Sequence, residues 1–379
     1  MKTKQSQQSA RWADYFLISG DNFTSFWSSL LCSKSRNLLF VLGLGFDPRM
    51  CSAIQEIVKQ GGEGLRNCLL LVFDEGLNSP SKQHSDRVQQ NQDQLQRLMS
   101  DPKRIREHEI TVWSEDGRRI GARNAASVFR RLDDLIQYTD IIIDISALPR
   151  SIYFPLLGRL LLLIDGRQGD ASLPNLHVVV SESVELDQVI HAEGIDDEAT
   201  YLHGFSGGIA REATAGMPKI WIPILGENQI GELERIYDLV HPDEICPVLP
   251  FPSGDPRRGD NLILEYREIL FDRFRVEPRN IIYASEKNPF EVYRELTKTI
   301  NQYSSSLDPL KGCKVVVSTL SSKLLSLGAL LTAYEFRKMV GIAHVEASGY
   351  TMSVTDTNEL IDTHKELFEM WLTGEAYES

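Results

Sequence analysis

The sequence predicts an α/β protein made of two tandem, doubly wound, mostly parallel sheets. Three observations carry that prediction. Short apolar runs alternate with longer helical patterns along the chain. The runs are continuously apolar rather than alternating, which implies strands buried on both faces. The order of runs and helices restarts near residue 218, so the architecture repeats with little residue identity.

The first strand is 38–44 (LLFVLGL), followed by a helical pattern over 50–60. Residues 69–73 (LLLVF) form the second strand, and a polar, Gln-rich helix covers 81–99. A short third strand at 110–113 precedes a helix over 122–137. Residues 140–145 (DIIIDI) form the fourth strand, 151–164 a mostly buried helix, and 176–180 (LHVVV) the fifth strand. Residues 181–217 are acidic, then rich in Gly and Ala, and read as a connector. The second set has strands at 219–225, 245–249, 280–284, 314–318 and 342–346. Helices at 230–240, 262–274, 290–303 and 323–339 separate them, and 358–372 reads as a terminal helix. The predicted division is an N-terminal extension (1–36), a first half (37–183), a connector (184–217), a second half (218–352) and a C-terminal helix (353–379). Right-handed crossovers make each half Rossmann-like. Ligands of such sheets sit outside the carboxyl ends of the strands, at the switch point.

At about 150 residues per domain, 379 residues suit two to three domains. Lys and Arg number 40 against 53 Asp and Glu, a net charge of −13. That excludes a broad surface for long nucleic acid, whose affinity comes from cations neutralising phosphates. It remains compatible with a compact anionic ligand held by a few local cations. Cys32, Cys51, Cys68, Cys246 and Cys313 are widely spaced with no C-x-x-C pair, so neither a disulfide framework nor a zinc cluster is expected. The N-terminus is polar, and the apolar stretch 152–164 is interrupted by Arg159. No signal peptide, no membrane span and a cytoplasmic location are therefore expected.

The first strand runs into Gly43, Leu44, Gly45, Phe46, Asp47, Pro48 and Arg49. Two glycines let a backbone approach a ligand, and the next helix N-terminus favours an anion. A dinucleotide fingerprint is incomplete, because Pro48 stands where the third glycine belongs, although Asp74 ends the second strand where a ribose-binding acid would sit. A tight turn closing a strand explains the same residues. The fourth strand ends in Asp144, Ser146 and Arg150, a hydroxyl and a cation that can address one anion together. The alternative is that Ser146 caps the helix and Arg150 pairs with an acid. The second half repeats the spacing as Thr319 and Lys323, with Ser321 between them, and its first strand ends in Gly226, Glu227 and Asn228.

The pattern [D/N]-x-[S/T]-x-x-x-[R/K] after the fourth strand resembles the hallmark of CARF domains, the CRISPR-associated Rossmann folds. Asp144, Ser146 and Arg150 match it fully; Thr319 and Lys323 match in part, with Val317 at the acidic position. Two such halves in one chain look like the SAVED arrangement of antiphage systems. The resemblance would cover about residues 37–350. It implies binding of cyclic oligoadenylates or other cyclic nucleotides and signalling to an effector. It also implies that Gly43, Gly45, Asp47, Arg49, Gly226 and Asn228 shape ligand-contacting loops. No stretch of sequence is left for a fused effector, so a separate effector protein is expected; a homo-oligomer is compatible. Val317 puts a symmetric ligand site in doubt.

Other signals point elsewhere. Asp47, Asp74 and Asp144 at strand ends are candidate Mg²⁺ ligands, the route to a metal-dependent enzyme on a nucleotide or sugar phosphate. A non-catalytic adaptor subunit is the third reading. Arg257 and Arg258 lie in a Gly/Pro loop suited to phosphate or to solvent. Tyr350 is available for stacking on a base. Gly204-Phe205-Ser206-Gly207-Gly208 matches G-x-S-x-G but lacks an apolar strand before it. Arg104, Arg106, Arg118, Arg119, Arg123, Arg130 and Arg131 enrich one region in positive charge, as a solvated face or a partner surface. The identity of any cofactor is left open by these motifs.

Overall fold

Each of two sheets places five parallel strands in the spatial order third, second, first, fourth, fifth. The computed structural model describes residues 10–74, 76, 79–167, 173–209, 216–353 and 365–377. The fold is α/β with two Rossmann-like, mostly parallel sheets flanked by helices.

The chain divides into two units, and each is discontinuous. One takes Phe16–Asp197 together with Glu346–Ser379. Its parallel strands are β2 (Leu38–Gly43), β3 (Arg66–Asp74), β4 (Ile105–Thr111), β5 (Asp140–Asp144) and β6 (Asn175–Glu182). They lie in the order β4-β3-β2-β5-β6, continued by β16 (Glu366–Thr373), antiparallel to β6, and β1 (Phe16–Ser19), antiparallel to β16. In register, Phe40 of β2 stands between Cys68 and Ile142. Helices α1 (Asp21–Ser33), α2 (Ser52–Lys59) and α3 (Ser85–Met99) cover one face: Phe23, Trp27, Ile54, Ile57, Leu95 and Met99 pack with Phe40, Leu42 and Leu70. Helix α4 (Gly121–Ala125) packs on α5 (Arg150–Asp165), which is buried along most of its length. Helix α6 (Val184–Val189) leads into β7 (Ile190–Ile195), which pairs antiparallel with β15 (Ala347–Met352).

The other unit takes the chain up to Tyr15 together with Glu198–Val345. Its sheet runs β12 (Ile282–Ala284), β11 (Val248–Pro250), β9 (Lys219–Ile224), β13 (Lys314–Thr319) and β14 (Val340–His344), all parallel, then antiparallel β8 (Thr200–Ser206). Strand β10 (Glu244–Ile245) pairs with β9 just before Pro247 interrupts the ladder. Helices α7 (Ile230–Val240), α8 (Arg258–Arg267), α9 (Pro289–Ser306) and α10 (Lys323–Glu335) flank it. Ser322 caps α10 by accepting the Leu325 N–H, and Asn288 caps α9 by accepting from Phe290 and Glu291. Gly328 lets α9 and α10 approach closely, because a Cβ there would strike the Pro289 carbonyl and Val292.

Four expectations are corrected. Residues 358–372 are not a helix where described: Glu366–Thr373 is strand β16. Glu369 is fully buried there, and a buried acid reads in sequence as the polar face of a helix. Residues 122–137 hold only the short helix α4 and one 3-10 turn (Leu132–Asp134), and Phe129, Leu132 and Leu135 enter the core after α4. The connector holds α6, β7 and β8, and β8 belongs to the second sheet. The third strand spans Ile105–Thr111, longer than 110–113, because its exposed edge carries charges that hide the pattern.

Among the described residues no helix is long and apolar enough to cross a membrane. Cys32 is exposed, and the other four cysteines are buried free thiols. Burial pushes the Cys51 thiol up to about 12 and that of Cys246 to about 11, which leaves them inert.

Candidate functional site

In both units the turns after the first and fourth parallel strands are pressed together, which is where the strand order reverses. In the first unit a Cβ on Gly43 would meet Leu148, in the turn after β5. In the second unit a Cβ on Gly226 would strike the backbone of Leu320 and Ser321, in the turn after β13. These glycines serve close packing of two turns. Gly45 has open space around its Cβ position and remains the one of the three that leaves room for a ligand.

The loop after β2 is held from within. Asn91 of α3, buried, donates to the carbonyls of Gly45 (2.7 Å) and Asp47 (2.9 Å). Arg49 is buried and grips Asp47 through Nε and Nη2, at 3.0 and 2.9 Å, while its Nη1 donates to Asp187 of α6 at 2.7 Å. Burial opposes the Arg49 charge, but Asp47 and Asp187 outweigh burial and lift its pKa. Arg49 is thus committed to carboxylates, and Asp47 is not presented as an open ligand.

After β5, the Asp144 carboxylate accepts the Ser146 N–H at 2.8 Å, which shapes the turn. Ser146 is fully buried, and its Oγ accepts the Ser181 N–H at 2.8 Å. Its hydroxyl therefore ties β5 to β6 instead of capping the helix or facing a ligand. Arg150 is the first residue of α5 and half-buried, with Pro149 before it and no side-chain cap. Pro149 has no N–H of its own, and its carbonyl accepts from the Ile152 and Tyr153 N–H groups, at 3.0 Å each.

The second unit repeats the scheme with different atoms. Arg258 of α8 donates to both oxygens of Glu227, at 2.6 and 2.8 Å, and to Glu286. Burial disfavours both charges here too, and the pair overcomes it: Glu227 is held low by Arg258, and Arg258 is raised by Glu227 and Glu286. Asn228 has φ 59°, the left-handed region that Asn tolerates, and its N–H donates to Glu265 at 2.7 Å. Tyr266 donates to the Gly226 carbonyl at 2.6 Å and accepts from the Gln229 N–H. Thr319 and Ser321 are buried, and Lys323 opens α10 half-buried.

The structure therefore gathers Gly43, Gly45, Asp47, Arg49, Asp144, Ser146 and Arg150 at one switch point. Gly226, Asn228, Thr319, Ser321 and Lys323 gather at the other. Within each set, Arg150 and Lys323 are the expected cations that open the helix after the fourth strand. Sequence reasoning missed Asn91, Asp187, Ser181 and Tyr266. These lie far along the chain from the loops they hold and carry no motif. Of the loop 250–259, Arg258 is an internal brace, whereas Arg257 is exposed. The Asp74 side chain lies outside the described residues. Among the described residues no group of three or more His, Cys, Asp or Glu side chains is placed to hold a metal ion. Ser206 ends strand β8 and is followed by a turn instead of the helix a nucleophile elbow needs.

No protein-family model and no curated protein matches the chain. Solved structures with some likeness include a universal stress protein from Archaeoglobus fulgidus DSM 4304, at 8% identity and a TM-score of 0.21, covering 80% of this chain and 94% of that one. A protein of unknown function from Pseudomonas aeruginosa PAO1 is 9% identical with a TM-score of 0.20, covering 80% and 91%. A SAM-dependent O-methyltransferase from Thermotoga maritima is 12% identical with a TM-score of 0.21, covering 48% and 57%.

Proposed function

We propose that this protein is a nucleotide-binding regulator, of the kind that senses cyclic oligonucleotides in bacterial antiphage defence and acts with a separate effector. The observation that supports this reading is the duplicated switch point. Each half sets a first-strand loop against a fourth-strand turn, and that turn opens a long helix with a cation at its first residue, Arg150 or Lys323. A phosphate at such a helix start would gain the helix dipole and the side-chain charge together. Ser146, Thr319 and Ser321 then act as buried supports of the turns, and the acids Asp47 and Glu227 keep their loops in shape through Arg49 and Arg258.

The test is thermal unfolding against cyclic di-, tri- and tetranucleotides. Ligand at a hundred times its Kd stabilises a protein by about 2.7 kcal/mol. For units of this size, about 2–4 °C per kcal/mol gives a rise of about 5–10 °C. Arg150→Ala with Lys323→Ala should abolish the rise, measured from the folded variant's own unliganded melting temperature. No rise with any of these ligands overturns the reading. Metal-dependent turnover of the ligand, lost in Asp144→Asn, would favour an enzyme instead.

A further inference from the structure

Arginines that form no ion pair among the described residues collect along one edge of the first sheet. Strand β4 pairs with β3 and with no other strand among the described residues, so its outer backbone edge is free of a ladder. Strand alternation separates its side chains by face. Arg106, His108 and Ile110 share one face; Glu107 and Glu109 share the other. Glu107 accepts a hydrogen bond from Gln92 of α3 at 2.9 Å, which assigns the acidic face to the α3 side.

On the basic face two arginines converge. Burial, Arg106 and Arg130 together hold the His108 pKa below its usual value. Arg131 follows Arg130 in the turn after α4. Arg159 of α5 pins that turn by donating to the carbonyls of Phe129 (3.3 Å) and Arg130 (2.9 Å). Arg106, Arg130 and Arg131 make no ion pair among the described residues, whereas Arg118 pairs with Asp116 and Arg119 with Asp196. Like charges held together on a fixed turn repel, and that cost is recovered when an anion arrives.

We propose that the free edge of β4 docks an extended acidic segment of a partner protein as an added strand, with its carboxylates on the Arg106, Arg130 and Arg131 side. Backbone hydrogen bonds would supply the affinity, and the charge on one face the register and direction. A second copy of this chain fits poorly. Two-fold antiparallel pairing of β4 with itself sets basic face beside basic face and acidic face beside acidic face. A polyanionic nucleic acid would gain only from the basic face and would meet Glu107 and Glu109 across the edge. The inference is independent of the ligand reading, because β4 is the third strand and the ligand turns follow the first and fourth.

Fluorescence anisotropy with the full chain tests it. The probe is a labelled ten-residue peptide in which Glu alternates with Val and Thr. It should bind, and it should protect amides of Ile105–Thr111 from hydrogen exchange. Arg106→Glu with Arg130→Glu should weaken it at least about tenfold. The milder pair Arg106→Gln with Arg131→Gln, checked for an unchanged melting temperature, should weaken it in the same direction. N-methylation of alternate peptide amides along one edge, or Lys in place of Glu, should abolish binding. No binding by the Glu peptide, or equal binding by its N-methylated form or by oligo-dT, would overturn the proposal.

Discussion

His177 sits fully buried between two carboxylates, Nδ1 at 2.6 Å from Glu369 and Nε2 at 3.2 Å from Asp140. Arg36, also buried, donates to Asp140 at 2.8 Å and to Glu375 at 2.9 Å, and Asn175 donates to Asp140. Burial disfavours the imidazolium, but Glu369 and Asp140 outweigh it and raise the His177 pKa to about 9. Burial pushes Glu369 up despite His177, while hydrogen bonds and Arg36 hold Asp140 down against burial. In the unfolded chain the imidazole returns to about 6.5, so folding takes up a proton near neutral pH. The stability this group adds is complete below pH 6.5 and fades as pH rises through about 9. Melting temperature should therefore decline across that window. His177→Gln should remove the decline and cost about 3–5 kcal/mol by leaving the buried Glu369 without its cation, while Asp140 keeps Arg36 and Asn175. A pH profile identical in both proteins would count against the assignment.

At the scale of elements, the paired turns of each switch point depend on missing side chains. Gly226→Ala should cost about 1–3 kcal/mol, because its Cβ would meet backbone at Leu320 that cannot swing away. Gly45→Ala, with open space at its Cβ, should change stability by less than about 0.5 kcal/mol. Chemical denaturation of both variants checks the contrast, and equal effects would mean that the turns can separate at little cost. Helix α10 shows how burial decides an element. It is apolar all round and buried on every side, so packing against α9 and β13 holds it instead of amphipathic patterning.

At the scale of the whole molecule, segments far apart in sequence complete each unit. Trp12 is buried against Tyr293 in an edge-to-face contact at 5.4 Å, and Tyr15 stacks on Phe290 at 4.5 Å. The next residue, Phe16, begins the edge strand of the other sheet. Trp12→Ala should cost about 3–5 kcal/mol. Hydrogen exchange should show protection lost first in α9 and α10, with the strands β2 and β5 spared. Loss confined to residues near 16–36 would contradict the division of the chain.

Local composition by itself determined the α/β class, the two repeated sets of strands and most helices. Runs such as LLFVLG and DIIID are buried on both faces and need no distant information to be read as strands. It also brought the strand-end residues to notice, because a parallel sheet can expose a site only at those ends. The tertiary structure alone decided which of these residues are occupied. Arg49 meets Asp187 and Ser146 meets Ser181 only after β6 is laid beside β5, contacts that no spacing encodes. Likewise Glu369 is accommodated in strand β16 because His177 faces its carboxylate inside the sheet. A buried acid is affordable only with partners, and partners across a sheet are set by strand order, which local sequence does not carry.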